Sequence, residues 1–283
     1  MLGVSCLAIL AGICIKSVWS GNGGDQIRRE AHAEEEEQSL QNAAPPEETV
    51  EIPDPTKNPE KETSYYKKLY KKKKATTVVS VADANKKQIK ALFYPSKISN
   101  AVFKRMYKKS YKKNCTVAKS ELRYVRVLYY GFDKKTHIGE LVVNRRIAED
   151  ICTIFYKLYR KKYPIEKMVL VDEYHAVDED SMADNNTSAF NYRPISGTTR
   201  LSKHSYGMAI DINPLYNPYI HTMNGKRVCE PVNGKKYMNR SKSFPYKITK
   251  KDLCYKLFTK YGFTWGGSWN TSKDYQHFEK ELS

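Results

Sequence analysis

Cysteine is scarce in this chain: six among 283 residues, and two of those, Cys6 and Cys14, fall in the first twenty. No pair stands as CxxC, which excludes a zinc ribbon. The other four, Cys115, Cys152, Cys229 and Cys254, permit two disulfides in three pairings, or four separate thiols. There is no HExxH and no HxH, so the metal motifs built on those spacings are absent. No internal repeat is present, which excludes a solenoid or propeller. Acidic residues thin out beyond residue 64, where nineteen Asp and Glu face forty-four Lys and Arg.

What is there begins with an apolar run. Leu2 to Ile15 carries no charge over fourteen residues, which suits a signal-peptide core and is short for a membrane span. Val18 and Ser20 place small residues for a cut before Gly21, so residues 1–20 are expected to be a signal peptide or membrane anchor and the protein to be exported. Residues 21–64 hold twelve acids against four bases, with EEEE at 34–37 and several prolines, and read as an acidic disordered spacer. Residues 65–110 form a basic N-terminal extension that opens with tyrosines among lysines (YYKKLYKKKKA), and 111–283 form the principal domain.

The net charge of +18 attracts a polyanion: nucleic acid, an anionic membrane or an anionic cell-wall polymer. Charge alone does not choose among them, and lysine runs of this kind are ordinarily just solvated. An exported protein does not meet nucleic acid, so none is expected as a partner. Membrane contact is expected only through the N-terminal segment, and the protein is expected to be a monomer.

Leu122–Phe132 has the β-branched and aromatic content of a strand, with a turn at Asp133-Lys134. Across residues 146–163, Ile147, Ile151, Ile154, Phe155 and Leu158 recur on one helical face, and Pro164 stops the helix. KMVLVDEY, 167–174, predicts another strand, and 175–200 a long polar loop. A second helix is predicted over about 250–261, after Thr249 as N-cap. Strands and helices without regular βαβ alternation predict an α+β fold, with a small mixed or antiparallel sheet flanked by helices.

SKHSYGMAIDINP, 202–214, sets a carboxylate at the centre of an apolar strand-like run. Burial of an unpaired carboxylate is costly, so Asp211 needs an ion pair, a hydrogen-bond network or a metal. Strand alternation places Met208, Ile210 and Ile212 on one face and Ala209, Asp211 and Asn213 on the other. Gly207 permits a tight approach or a positive φ, through which His204 and Asp211 can converge. A catalytic zinc site uses three protein ligands and an open position. His277, in WGGSWNTSKDYQHFE with Trp265, Trp269, Asp274 and Glu279, is the natural third. On a regular strand 274 and 277 face opposite sides, so a turn or bulge must intervene. The plain alternatives are a satisfied His–Asp pair, core tryptophans, surface acids, and in Arg193 one more basic residue.

The combination Ser202, His204, Gly207, Ala209, Asp211 and Ile212, followed by Asp274 and His277, resembles the S-x-H-x-x-G-x-A-x-D-[IL] and [DE]-x-x-H motifs of a known family. These are the bacterial cell-wall zinc peptidases, D-alanyl-D-alanine carboxypeptidases and L-alanyl-D-glutamate peptidases, of the vancomycin-resistance carboxypeptidase type. The resemblance covers roughly 185–280 and implies that family's hedgehog-like α+β fold. It implies one Zn2+ held by His204, Asp211 and His277, Asp274 as catalytic acid and base, and Arg193 stabilising the oxyanion or a substrate carboxylate. Ser202 and Tyr206 are expected to contact substrate. Asp at the base position resembles the endopeptidase-type members, so peptidoglycan stem peptides cut at L-Ala–D-Glu are the expected substrate. The alternatives are removal of terminal D-Ala, or a non-catalytic zinc-bearing module that binds the wall. The basic surface would then meet anionic wall polymers, outside the cell.

Overall fold

The structure, a computed structural model, describes residues 59–281. Residues 1–20, expected to be a signal peptide or anchor, and nearly all of the acidic stretch lie outside the described residues. The described part is an α+β fold with three small antiparallel sheets of three strands each.

The first sheet has the order β1-β2-β3, from Tyr94–Lys97, Leu122–Tyr130 and Thr136–Asn144. β2 and β3 form a hairpin around Asp133-Lys134, with Lys134 in the left-handed region (φ 63°). The helix Ala148–Arg160 lies on one face and buries Ile151, Ile154, Phe155 and Leu158 against Val125, Val127, Leu141 and Val143. Each such side chain, once buried, contributes about 1.5–3 kcal/mol. The opposite face holds Leu122 and Val142 against Met106, Phe190 and Tyr192. Both faces being covered explains why apolar residues fall on both sides of these strands.

Residues before 111 share this core. Tyr70, Leu92 and Phe93 are buried in it. Arg126 of β2 is buried and donates to the carbonyls of Tyr70 (2.7 Å) and Lys73 (2.9 Å), which end the helix Pro59–Lys72. The Tyr70 carbonyl also accepts from Lys73 N (3.2 Å), and a cation suits the carbonyl end of a helix. Arg105, from the helix Asn100–Met106, makes a two-pronged pair with the buried Glu140 of β3 (2.9 and 2.5 Å), and the Tyr124 hydroxyl donates to the same carboxylate (2.6 Å).

The second sheet, β4-β9-β7, joins Ala209–Asp211, His277–Glu279 and Thr264–Trp265. The third, β6-β5-β8, joins Lys226–Glu230, Tyr219–Met223 and Lys273–Asp274. The Asn224-Gly225 pair closes the β5–β6 hairpin with both residues at positive φ (52° and 73°), the geometry a two-residue hairpin loop favours. The helix Leu253–Lys260 carries Phe258, which stacks on Phe278 of β9 (4.5 Å) and meets Phe155 edge-on (6.4 Å), tying the second sheet to the first.

Three local expectations fail. KMVLVDEY is not a strand: its second half, Val171–Tyr174, is a 3-10 turn. The Asn186 side chain takes the place of a partner strand, accepting from Val169 N (2.9 Å) and donating to Val169 O (3.1 Å). The polar stretch 175–200 contains a helix, Asp178–Ala183. The last helix is capped by Asp252, which accepts from Cys254 N (2.7 Å), and not by Thr249. Cys115, Cys152, Cys229 and Cys254 are all free thiols.

Candidate metal centre and catalytic cleft

Register brings the first two groups together. In the β4–β9 ladder Asp211 stands opposite His277, Ile210 opposite Phe278 and Ala209 opposite Glu279. Directly opposed residues share a face, so Ile210 and Phe278 enter the core while Asp211, His277 and Glu279 face the other way. His204 arrives on the 3-10 turn Lys203–Tyr206, whose N-cap is Ser202, with its hydroxyl accepting from His204 N (3.3 Å). Gly207 ends that turn at φ 65°, and a Cβ there would lie 2.7 Å from Asn144 N. Both reasons for a glycine apply at once.

The tautomers follow from the partners. His204 Nδ1 is 2.5 Å from the carbonyl of Ala189, which can only accept, so Nδ1 donates and Nε2 presents its lone pair. His277 Nε2 is 2.9 Å from a Glu279 carboxylate oxygen, so it donates and Nδ1 presents the lone pair. These two nitrogens stand 3.1 Å apart, and each is 3.1 Å from an Asp211 oxygen. The three ligand atoms lie within 4.8 Å of one another, on buried residues. Bonds of about 2.0–2.1 Å at tetrahedral angles put adjacent ligand atoms ~3.3 Å apart, so the donor set fits zinc. Glu279 and the Ala189 carbonyl serve as the outer partners that metal-bound histidines require.

Burial disfavours a charged His277, yet hydrogen bonds to Asp211 and Glu279 push its pKa up to about 10. Burial likewise opposes a charged Asp211, but His204 and His277 outweigh it and hold the carboxyl well below the usual range.

Asp274 lies on β8, in the neighbouring sheet. Its Oδ1 is buried with no hydrogen-bond partner among the described residues. Burial, aided by the charge of Asp211 and opposed by His277 and Arg193, pushes its pKa up to about 7. Gly266 lets the backbone of this segment close in: a Cβ there would be 2.8 Å from Asp274 Cβ. The turn expected between 274 and 277 is present as a change of sheet at Tyr275-Gln276.

Arg193 lines the same cavity, of about 1020 Å³, as do Ser202 and Tyr206. The Ser202 hydroxyl is engaged in the cap, and the Tyr206 carbonyl accepts from Asn144 Nδ2 (3.1 Å). The Arg193 Nε meets the Asp178 carboxylate. Its backbone is gripped by the buried Ser205 hydroxyl, which accepts from Arg193 N (2.8 Å) and donates to Arg193 O (2.7 Å). Sequence reading missed Ser205 and Asp178. Ser205 lies inside the motif, between His204 and Tyr206, which was the one signal available. Trp269 packs against His277 (5.3 Å between rings), while Trp265 is core and donates from Nε1 to Tyr275 O (2.9 Å).

The fold and cluster define an α+β protein with a His-Asp-His metal-type site beside the half-buried Asp274, whose Oδ1 has no partner among the described residues. Residues 196–280 match the family model described as D-alanyl-D-alanine carboxypeptidase. The match covers under a third of the chain and takes in His204, Asp211, Asp274 and His277, with Arg193 outside it. That segment is therefore similar to a cell-wall peptidase of the zinc-dependent type. No curated protein and no solved structure matches the chain.

Proposed function

We propose that this protein is an exported zinc-dependent peptidase that hydrolyses peptidoglycan stem peptides. The observation that carries the reading is the convergence of two tautomer-locked imidazoles and Asp211 beside the unpartnered Asp274 Oδ1. His204, Asp211 and His277 would hold the ion. Zinc bound there supplies a Lewis acid for the scissile carbonyl and acidifies a water towards pKa ~7.

The chain's own groups do the rest. Asp274 Oδ1, free of any competing partner, would take a proton from the attacking water and return it to the departing amine. Arg193, fixed by Ser205 and Asp178, offers its terminal nitrogens to a substrate oxygen. Ser202 shapes the turn under His204, and Tyr206 borders the substrate.

The L-Ala–D-Glu bond is the first choice of substrate bond. The cavity runs past Asp274 as far as Glu230, which gives room for chain on the far side of the cut. Removal of terminal D-Ala is the second reading, supported by the description of the matching family and by a guanidinium placed to hold a terminal carboxylate. The leader supports export to the wall, where the lysine-rich surface would meet anionic polymers. Digestion of purified peptidoglycan with and without a zinc chelator, followed by mass spectrometry, tests all of this. New D-Glu amino termini favour the first reading and free D-Ala the second. No chelator-sensitive product of either kind would defeat both.

A further inference from the structure

The third sheet forms one wall of the cavity, and its register sets three side chains in a row. Tyr219 of β5 stands opposite Asp274 of β8 on one flank and opposite Glu230 of β6 on the other. Directly opposed residues in antiparallel ladders share a face, and all three residues line the cavity. Strands lie about 4.8 Å apart, so Glu230 stands about 10 Å from Asp274 along the wall. That is about three residues of extended peptide, or one residue and a long side chain.

Glu230 is built into place. Its Oε1 accepts from His221 Nε2 (3.0 Å) and from Ser196 Oγ (3.3 Å), while Oε2 has no partner among the described residues. The His221 ring stacks on Tyr219 (4.5 Å, 13° between planes), which fixes the donor and the ring between the two carboxylates. Burial raises the Tyr219 phenol, a hydrogen bond with Ser272 opposes it, the charges of Asp274 and Glu230 add to it and that of Arg193 opposes it. On a chain of net charge +18, a fixed carboxylate at this distance from the reacting centre selects for a cation.

We infer that Glu230 is a specificity-determining residue that receives a positively charged amine of the substrate, with Tyr219 and His221 positioning it. This rests on the stem-peptide reading above and deepens it: the preferred substrate keeps a free amine on the diamino residue of the stem. The amine hydrogen bonds to Oε2 while the scissile bond lies at Asp274, and a charge-assisted contact of this kind is stronger than a neutral one.

The test compares two synthetic stem peptides, one with a free side-chain amine at that residue and one with norleucine there. The zinc-loaded wild type should prefer the amine peptide by about tenfold or more in kcat/KM, a preference the size of one charge-assisted contact. Glu230→Gln keeps both acceptor contacts and should bring the ratio towards one. Glu230→Asp, with the charge drawn back by a methylene, should retain part of it and serves if the first variant unfolds early. Equal turnover of the two peptides by the wild type, or an undiminished ratio in Glu230→Gln, overturns the inference. If the wild type cuts neither peptide, the peptidase reading fails on its own. Titration calorimetry with the same pair then decides Glu230: an amine preference in affinity that Glu230→Gln abolishes supports it, and equal affinities refute it.

Discussion

Asp274 and His277 are three residues apart in the chain and belong to different sheets. Asp274 ends β8, which pairs with β5; His277 begins β9, which pairs with β4. The link between them is pinned, Tyr275 O by Trp265 Nε1 (2.9 Å) and Gln276 O by Ile212 N (3.0 Å). Two carboxylates and two imidazoles thus meet across a sheet boundary, which lets Asp274 stand beside the metal-type cluster without joining it.

On the proposed mechanism, Asp274→Asn removes the proton-carrying oxygen and keeps the shape. Turnover of stem peptide should fall by about 10²–10⁴-fold, while zinc content measured by mass spectrometry stays near one per chain. An enzyme that keeps full activity with Asn at this position would remove Asp274 from the mechanism.

Zinc at the proposed site should stabilise the fold by mass action, because the three candidate ligands are brought together only in the folded chain. At a hundredfold excess over the dissociation constant the gain is about 2.7 kcal/mol. A chelator should therefore lower the melting temperature of the wild type and leave that of Asp211→Ala unmoved. A wild type indifferent to zinc and chelator would count against a metal centre.

Gly207→Ala combines a left-handed φ with a contact against backbone. A non-glycine residue at such a φ costs about 1–3 kcal/mol, and the Asn144 amide at 2.7 Å cannot swing aside as a side-chain tip would. The urea midpoint should drop accordingly. Because His204 sits on the same turn, zinc affinity should fall with it.

Acid should weaken the fold through Glu140. Burial raises its pKa, but the hydrogen bonds and charge of Arg105 overcome this and hold it below the usual 4.5. A depressed folded value means that the stabilisation is complete above the unfolded pKa and is lost as pH falls through the folded one. Urea midpoints should hold between pH 7 and about 5 and decline below that, more gently in Glu140→Gln. Arg105→Ala strands the buried carboxylate and should cost about 2 kcal/mol at neutral pH, less than a fully buried pair because the guanidinium is partly exposed. No decline in Glu140-dependent stability down to pH 3 would contradict the assignment.

The His-Asp-His cluster was legible because its residues are concentrated in short motifs. His204, Gly207, Ala209 and Asp211 sit within eight residues, and period-two alternation correctly placed Asp211 on the face away from Ile210. The helix Ala148–Arg160 was equally plain, since one apolar stripe repeats over three turns. What escaped depends on groups distant in sequence. Val169 looked like strand because β-branched residues prefer one, yet its hydrogen bonds end on the Asn186 amide, seventeen residues away. Arg126 was one of many basic residues until its carbonyl partners at Tyr70 and Lys73 were seen. Thr249 and Asp252 are both good caps three positions apart, and only the backbone decides between them.

The turn that carries His204 hangs on the end of β3: Asn144 N donates to Gly207 O (2.8 Å), and Asn144 Nδ2 to Tyr206 O (3.1 Å). Asn144 lies well upstream of the span that matches the peptidase family. The heritable unit of this site is therefore larger than its signature. A graft of residues 196–280 onto a foreign scaffold would carry all three candidate ligands and still leave one of them without its anchor. Searches or transplants guided by the ligand motif alone should be extended backward until they recover a strand end able to take the place of Asn144.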